Sequence, residues 1–264
     1  MPPRRAPRSR MSNAWQRPAA SPGSGKAAAP ERRVALVIGN SSYKSTNHLR
    51  NPVNDAKAVA KALRDLGFQD VQEHVDLGRD AMLQSIKTFG EGAKGSHWAV
   101  VYYAGHGMEV KGTNYMIPVD AKLADEADIE DEAVPMNRLL DRLKDAGGIK
   151  LLILDACRDN PLATRMFRRG ASRSSGSKGL AEVKAASGTL IAYATNPGDS
   201  ALDGDDDEHS PYVRALLKHI AVPGQDVRLM FSAVYESVDE ATKQRQQPWY
   251  AAQLPGRPLI MKPN

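Results

Sequence analysis

Trp98-Ala-Val-Val-Tyr-Tyr103 runs directly into Ala104-Gly105-His106-Gly107, and Lys150-Leu-Leu-Ile-Leu154 runs into Asp155-Ala156-Cys157-Arg158-Asp159-Asn160. Each is a short, unbroken apolar run bounded by small or polar residues. That is the pattern of a parallel strand buried on both faces. Upstream, Val34-Ala-Leu-Val-Ile38 reads the same way and ends at Gly39-Asn40, and downstream Thr189-Leu-Ile-Ala-Tyr-Ala194 does so again. Amphipathic stretches lie between these strands. Asn54 or Asp55 caps a helix carrying Ala56, Val59, Ala60 and Leu63 at helical spacing, and Gly67 stops it. A strand near 71–75, a helix over 79–94, a short strand over 115–119, an acidic loop to Glu132 and a helix over 136–145 follow; helices over 210–220 and 226–242 close the domain. Strands alternating with helices predict an α/β fold, a mostly parallel central sheet with helices on both faces.

The chain has 264 residues, 25% charged and 41% hydrophobic, enough for one sizeable core. No window holds the roughly 18 consecutive apolar residues that would span a bilayer, and the N-terminus lacks an apolar signal core, so no membrane association is expected. Cys157 is the single cysteine, which excludes an internal disulfide framework and thiolate-rich metal sites and suits a reducing, cytoplasmic compartment. The net charge of +5 is unevenly spread. Residues 1–33 hold eight Arg and Lys against Glu31, a net +7, so the remaining 231 residues sum to −2. Residues 1–32 read as a disordered basic tail rich in Pro, Ala, Ser and Arg, and residues 33–264 as the folded domain. A basic tail on a near-neutral domain argues against nucleic acid as the principal partner. Within the domain, residues 161–187 form a long basic segment with almost no apolar periodicity, read as a flexible loop of the kind that proteases cut.

In open α/β sheets, ligands bind outside the carboxyl ends of the strands. His106 and Cys157 both emerge at such ends. If their strands are neighbours, the two lie within side-chain reach as a nucleophile and its base. The imidazole can take the thiol proton, and the glycines flanking His106 would let a substrate backbone approach closely. Taken singly, each residue has a plainer reading: a lone cysteine as a small buried hydrophobe, a histidine between glycines as a turn.

Tyr102-Tyr-Ala-Gly-His-Gly107 and Leu151-Leu-Ile-Leu-Asp-Ala-Cys-Arg158 resemble the His and Cys motifs of the caspase-like peptidases, the clan of caspases, paracaspases, metacaspases and bacterial orthocaspases. Val34–Tyr43, Leu49–Ala56 and Asn114–Asp120 are similar to further segments of that family, in the family's order, over roughly residues 33–255. The resemblance implies a caspase-like three-layer sandwich. It implies that Cys157 attacks the scissile carbonyl, that His106 acts as general base and acid through a thioester, and that the N–H groups of Gly107 and Cys157 form the oxyanion hole. No third side chain that must orient His106 is visible; a backbone carbonyl could do so.

Caspases carry glutamine two residues before the nucleophile, where this chain has Asp155. An acid at that position favours a cationic P1 side chain and repels aspartate. Metacaspases and paracaspases share the acid and cut after Arg or Lys, and their second pocket acid matches Asp55. The substrates expected are therefore proteins or peptides with basic P1. Asp155 could instead cap local amides at its strand end, and Asp55 could be the helix cap. With such a specificity, Arg165, Arg168, Arg169, Arg173 and Lys178 become candidate self-processing sites. Arg158 and Asp159 replace the His and Ser usual in metacaspases, which moves the chain toward the orthocaspases, and Ala104 stands where many metacaspases have serine. No cofactor is expected. Calcium is a candidate ligand only at the carboxylates of 125–132, which partly match the metacaspase calcium region, and at 203–208. A lone Gly39 after the first strand lacks the G-x-G-x-x-G of a dinucleotide site, and no G-x-S-x-G elbow is present. The rival of another class is a caspase-like interaction module that no longer catalyses. No fused sensor domain is expected, and a separate regulatory polypeptide and a monomeric state are.

Overall fold

A computed structural model describes residues 31–157, 180, 183, 185–196, 201–204 and 208–264, with Cys157 described by its backbone. Its elements, in chain order, are β1 (Arg33–Gly39), α1 (Pro52–Asp65), β2 (Asp70–Val75), α2 (Arg79–Gly92), β3 (Trp98–Val110), β4 (Thr113–Met116), α3 (Asp128–Glu132), β5 (Val134–Pro135), α4 (Met136–Arg142), β6 (Ile149–Cys157), β7 (Thr189–Tyr193), α5 (Pro211–Ile220), α6 (Val227–Ala241) and β8 (Trp249–Gln253). The central sheet has the order β2-β1-β3-β6-β7-β8. Its first five strands are parallel and β8 is antiparallel to β7.

The unbroken apolar runs are explained by alternation across the sheet. Ala35, Val37, Val100, Tyr102, Leu151, Ile153, Leu190 and Ala192 point to one face, where α1, α5 and α6 supply Val59, Leu63, Leu216 and Val234. Val34, Leu36, Ile38, Val101, Tyr103, Leu152, Leu154 and Ile191 point to the other, against Met82, Ile86 and Phe89 of α2 and Leu139 of α4. Two helical layers on one sheet give the three-layer α/β sandwich that the sequence predicts. Close approach is enforced at Gly39, where a Cβ would stand 2.3 Å from the carbonyl oxygen of Pro52 and 2.7 Å from the Ala56 Cβ, so only glycine lets α1 seat on the end of β1.

Several boundaries differ from the sequence reading. β3 does not stop at Tyr103 but continues to Val110, because Ala104–His106 keep pairing with Asp155–Cys157 and Gly107–Val110 then pair with β4. The short strand is 113–116 rather than 115–119, α2 ends at Gly92, and α4 ends at Arg142. The acidic loop contains the short helix α3 and leads into β5, which pairs with β4. The helices do not close the domain, since β8 follows them and completes the sheet edge. α1 starts at Pro52 with Asn51 at the N-cap, so neither Asn54 nor Asp55 caps it; the Asp55 amide donates to the carbonyl of Asn51 as an ordinary first-turn residue. Among the described residues, no helix is long and apolar enough to cross a membrane.

The chain reverses direction across the sheet between β1 and β3, with β2 on one side and β6 on the other. The carboxyl ends flanking that switch point are where α/β folds open a crevice. Gly39-Asn40, Ala104–Gly107 and Asp155–Cys157 all lie there.

Candidate active site

The site is built first by strand register. In the β3–β6 ladder, His106 and Cys157 are directly paired, the last pair of nine. Neighbouring strands lie about 4.8 Å apart, so the two Cα atoms are adjacent across the ladder.

His106 is held by three residues, through its ring and its backbone. Its Nε2 lies 2.9 Å from the carbonyl oxygen of Asn47. A carbonyl can only accept, so Nε2 carries the proton and Nδ1 of the neutral ring keeps its lone pair. Nδ1 is buried and has no hydrogen-bond partner among the described residues. The Tyr43 ring packs against the imidazole at 4.4 Å between centroids, and the Tyr43 hydroxyl accepts the His106 backbone N–H at 2.7 Å. The Tyr103 hydroxyl donates to the His106 carbonyl at 2.6 Å. Asn40 supports this assembly, taking the Leu77 amide on Oδ1 at 3.0 Å and donating from Nδ2 to the Ile117 carbonyl at 3.2 Å. Burial lowers the His106 pKa below the usual histidine range, against smaller opposing effects of the Asn47 carbonyl and the Asp203 charge. The ring is thus kept neutral and basic at Nδ1.

The glycines around His106 do not have the role expected of them. Gly105 has φ +152°, and a Cβ on it would stand 2.6 Å from the Tyr43 hydroxyl and 2.9 Å from the Tyr103 hydroxyl. At Gly107, a Cβ would lie 3.1 Å from the Ala156 Cβ and 3.3 Å from Leu180. Both glycines admit the protein's own side chains, so the space beside them is filled rather than open to a substrate backbone.

Asp155 is the second element of the site. It is buried, and its Oδ2 accepts the Ser210 hydroxyl at 2.8 Å and the Tyr102 hydroxyl at 3.3 Å. Asp55, from α1, is also buried; its Oδ2 takes the Ser210 amide at 3.3 Å and its Oδ1 lies 2.8 Å from His209 Nδ1. Ser210 therefore bridges the two carboxylates, with its amide on one and its hydroxyl on the other, while its Oγ also accepts from Val213 and caps α5. Neither acid behaves as a local amide cap. Burial raises both pKa values above the ordinary carboxylate range; Asp155 is further raised by the charge of Asp55, and Asp55 by that of Asp203. Two like charges in one dry pocket favour holding a proton or recruiting a cation.

Asp203 comes close by another route. Its carboxylate accepts the Arg50 amide at 2.7 Å and the Asn51 amide at 3.3 Å, fixing the segment that presents Asn47 and starts α1. The sequence reading missed Tyr43, Asn47, Asp203, His209 and Ser210 as parts of the site. Asn47 acts through its backbone and carries no side-chain signal. Ser210 was legible as the start of a helix, which is also its structural role. The candidate cleavage positions Arg165, Arg168, Arg169, Arg173 and Lys178 lie outside the described residues, as does the Cys157 side chain.

The acidic segment 125–132 is largely engaged with its own chain. Glu132 accepts the amides of Lys122 and Leu123 at 2.6 and 2.7 Å, Asp128 accepts the Asp125 amide at 2.8 Å, and Glu126 pairs with Lys111 at 2.9 Å. Among the described residues, no three His, Cys, Asp or Glu side chains converge to hold a metal ion.

Human mucosa-associated lymphoid tissue lymphoma translocation protein 1 is 30% identical over 127 residues, and its mouse homolog is 31% identical over the same length. Those matches cover 48% of this chain, and the chain spans 15% of the length of either relative. The model of the caspase domain, peptidase family C14, matches residues 32–259. With nearly the whole described fold inside that match, the chain belongs to the caspase-domain family of cysteine peptidases.

Proposed function

We propose that this protein is a cysteine endopeptidase that cleaves peptide bonds after Arg or Lys. The observation that carries the reading is His106: buried, fixed by the Asn47 carbonyl with Nδ1 left as the free base, and paired in register with the single cysteine. In the first half-reaction the Cys157 thiol proton passes to Nδ1 and the thiolate adds to the scissile carbonyl. The developing oxyanion is taken by the N–H groups of Gly107 and Cys157. The imidazolium then protonates the leaving amine as the C–N bond breaks, leaving a thioester. Water, deprotonated by the same nitrogen, adds to the thioester, and collapse releases the acid and restores the thiol.

Asp155 and Asp55 form the base of the P1 pocket in this reading. A guanidinium or ammonium entering it meets two buried carboxylates that repel each other when both are ionised, and an aspartate side chain would add a third negative charge. Self-processing at Arg165, Arg168, Arg169, Arg173 or Lys178 follows from the same preference.

A peptide series with Arg, Lys, Asp and Ala at P1 tests the proposal. Arg and Lys peptides should be cut and the others spared, with all turnover lost in Cys157→Ala and His106→Ala. Cleavage after Asp, or turnover surviving Cys157→Ala, would overturn it. The intact mass of wild type on incubation, against that of Cys157→Ala, tests self-processing; an uncut wild type that still hydrolyses peptides would remove that part alone.

A further inference from the structure

The acid pair already has a basic neighbour of its own. His209 is the residue before the α5 cap, and its Nδ1 lies 2.8 Å from Asp55 Oδ1. The two side chains differ in exposure: Asp55 is 2% exposed and His209 26%. The imidazole is thus the solvent-accessible partner of a carboxylate that is itself buried.

The surroundings limit what else can neutralise the pocket. Asp155 enters from β6 and Tyr102 from β3, Asp203 comes from the loop before α5, Ser210 is the α5 cap and Arg214 lies in α5. Two of these groups, Asp155 and Asp203, are acids. Ser210 and Tyr102 contribute hydrogen bonds without charge, and Arg214 adds a favourable field at Asp55. His209 is the side chain in direct contact with Asp55 whose charge can be switched by a single proton. Protonated, it is the counter-ion of Asp55 and occupies Oδ1. Neutral, it either donates one hydrogen bond or turns away, and it leaves the negative charge to whatever enters.

Resting on the proposed preference for basic P1 residues, we propose that His209 is a specificity-determining residue of that pocket, an internal competitor with the substrate's cation for Asp55. The substrate side chain and the His209 proton then exclude each other. By linkage, a bound cation makes His209 harder to protonate, and acid weakens cation binding beyond what the carboxylates themselves impose.

Propylguanidinium, the detached arginine side chain, tests this without turnover, so the titration of His106 as a base does not enter. The His209 ring proton is assigned by its loss from the NMR spectrum of His209→Asn, a variant that keeps an amide donor for Asp55. In wild type, saturating propylguanidinium should move the midpoint of the His209 titration to lower pH by about half a unit or more. At acid pH, His209→Asn should bind propylguanidinium at least threefold tighter than wild type, the two converging as the pH rises. Binding that leaves the His209 midpoint unmoved, or equal affinities at low pH, overturns the inference and leaves the basic-P1 pocket intact. Failure of propylguanidinium to perturb His209, Ser210 and the α5 amides in any form of the protein overturns both. The wild-type titration carries the test if the variant folds poorly.

Discussion

Gly105→Ala is the most informative single perturbation of the His106 support. The new methyl would stand 2.6 Å from the Tyr43 hydroxyl, 2.9 Å from the Tyr103 hydroxyl and 3.2 Å from the Asn40 Cβ, on a backbone with φ +152°. Holding a non-glycine residue in that region costs about 1–3 kcal/mol. Overpacking costs about 1–3 kcal/mol more. Relief can come only by moving the hydroxyls that hold the His106 N–H and carbonyl. The sum is a loss of roughly 2–6 kcal/mol, large against the ~5–15 kcal/mol of a typical domain but measurable by urea unfolding. Tyr43→Phe alone leaves the buried His106 N–H without its acceptor and should cost about 1–3 kcal/mol. In the double variant the nearest clash is gone and the hydrogen bond is lost only once. The two losses should therefore fall short of additivity by about 1 kcal/mol or more. The proposed peptidase activity should follow: in Gly105→Ala, kcat should drop at least tenfold with KM little changed, since the base is displaced and the P1 pocket is untouched. Strict additivity of the stabilities, or a Gly105→Ala variant as stable and active as wild type, would refute the packing account.

Two further outcomes follow from the acid pair. Asp155→Asn keeps the shape and the Ser210 contact while removing a charge, so kcat/KM for Arg peptides should fall by roughly tenfold to a hundredfold, the worth of a charged hydrogen bond at about 1.5–3 kcal/mol, with Arg and Lys losing alike. Stability should also depend on pH in a definite sense. The folded-state pKa values of Asp55 and Asp155 are raised, so the folded chain binds more protons than the unfolded one; their contribution is greatest below the ordinary carboxylate pKa near 3.8 and is lost as pH rises through the folded values, about 7 and about 8. Urea unfolding between about pH 5 and about pH 8 should show this decline, flattened in Asp55→Asn/Asp155→Asn; an unchanged pH slope in the double variant would dismiss the pair as its source.

The readable part of the fold is the part governed by burial on two faces. Val34–Ile38, Trp98–Tyr103, Leu151–Leu154 and Thr189–Tyr193 announce themselves because each successive side chain finds an apolar layer. β8 was missed because Trp249-Tyr-Ala-Ala-Gln253 is short, half exposed and bounded by Pro248 and Leu254-Pro255, with no run and no period to mark it. β3 was cut short because Gly105 and Gly107 resemble a turn, whereas their pairing is settled by β6 and β4, which lie far off in sequence. The same division holds in the site. His106, Cys157 and Asp155 follow directly on unbroken apolar runs and sit at the end of the β3–β6 ladder, where position alone singles them out. Asp55 is legible as an acid near the start of a helix, but its choice between capping and facing the pocket depends on the helix beginning three or four residues earlier than expected, at Pro52. Asn47 and Ser210 work through a carbonyl and an amide, groups that every residue possesses.

The acid pair is the feature hardest to reconcile with stability alone. Two carboxylates buried together repel, and replacing buried charges by neutral groups of similar shape is often neutral or stabilising. Yet the fold directs several donors at them: the Ser210 amide to Asp55, the Ser210 hydroxyl and the Tyr102 hydroxyl to Asp155, and the His209 ring beside Asp55. None of these contacts removes the repulsion; each fixes the direction in which a carboxylate oxygen points. Ser210 is decisive here, because one residue anchored as the α5 cap sets the orientation of both acids at once. In the proposed basic-P1 reading, such a pocket is strained when empty and relieved by a cation, so part of the unfavourable electrostatics of the free protein would be recovered when a basic side chain binds. Ser210→Ala should therefore separate the two effects. It removes the hydroxyl contacts to Asp155 and to the helix while leaving the amide on Asp55, so thermal unfolding should register the lost cap at about 1 kcal/mol. Propylguanidinium affinity should fall several-fold, because Asp155 loses its alignment while keeping its charge. A variant that loses the cap energy yet binds the cation as wild type does would mean that charge alone, without orientation, makes the pocket.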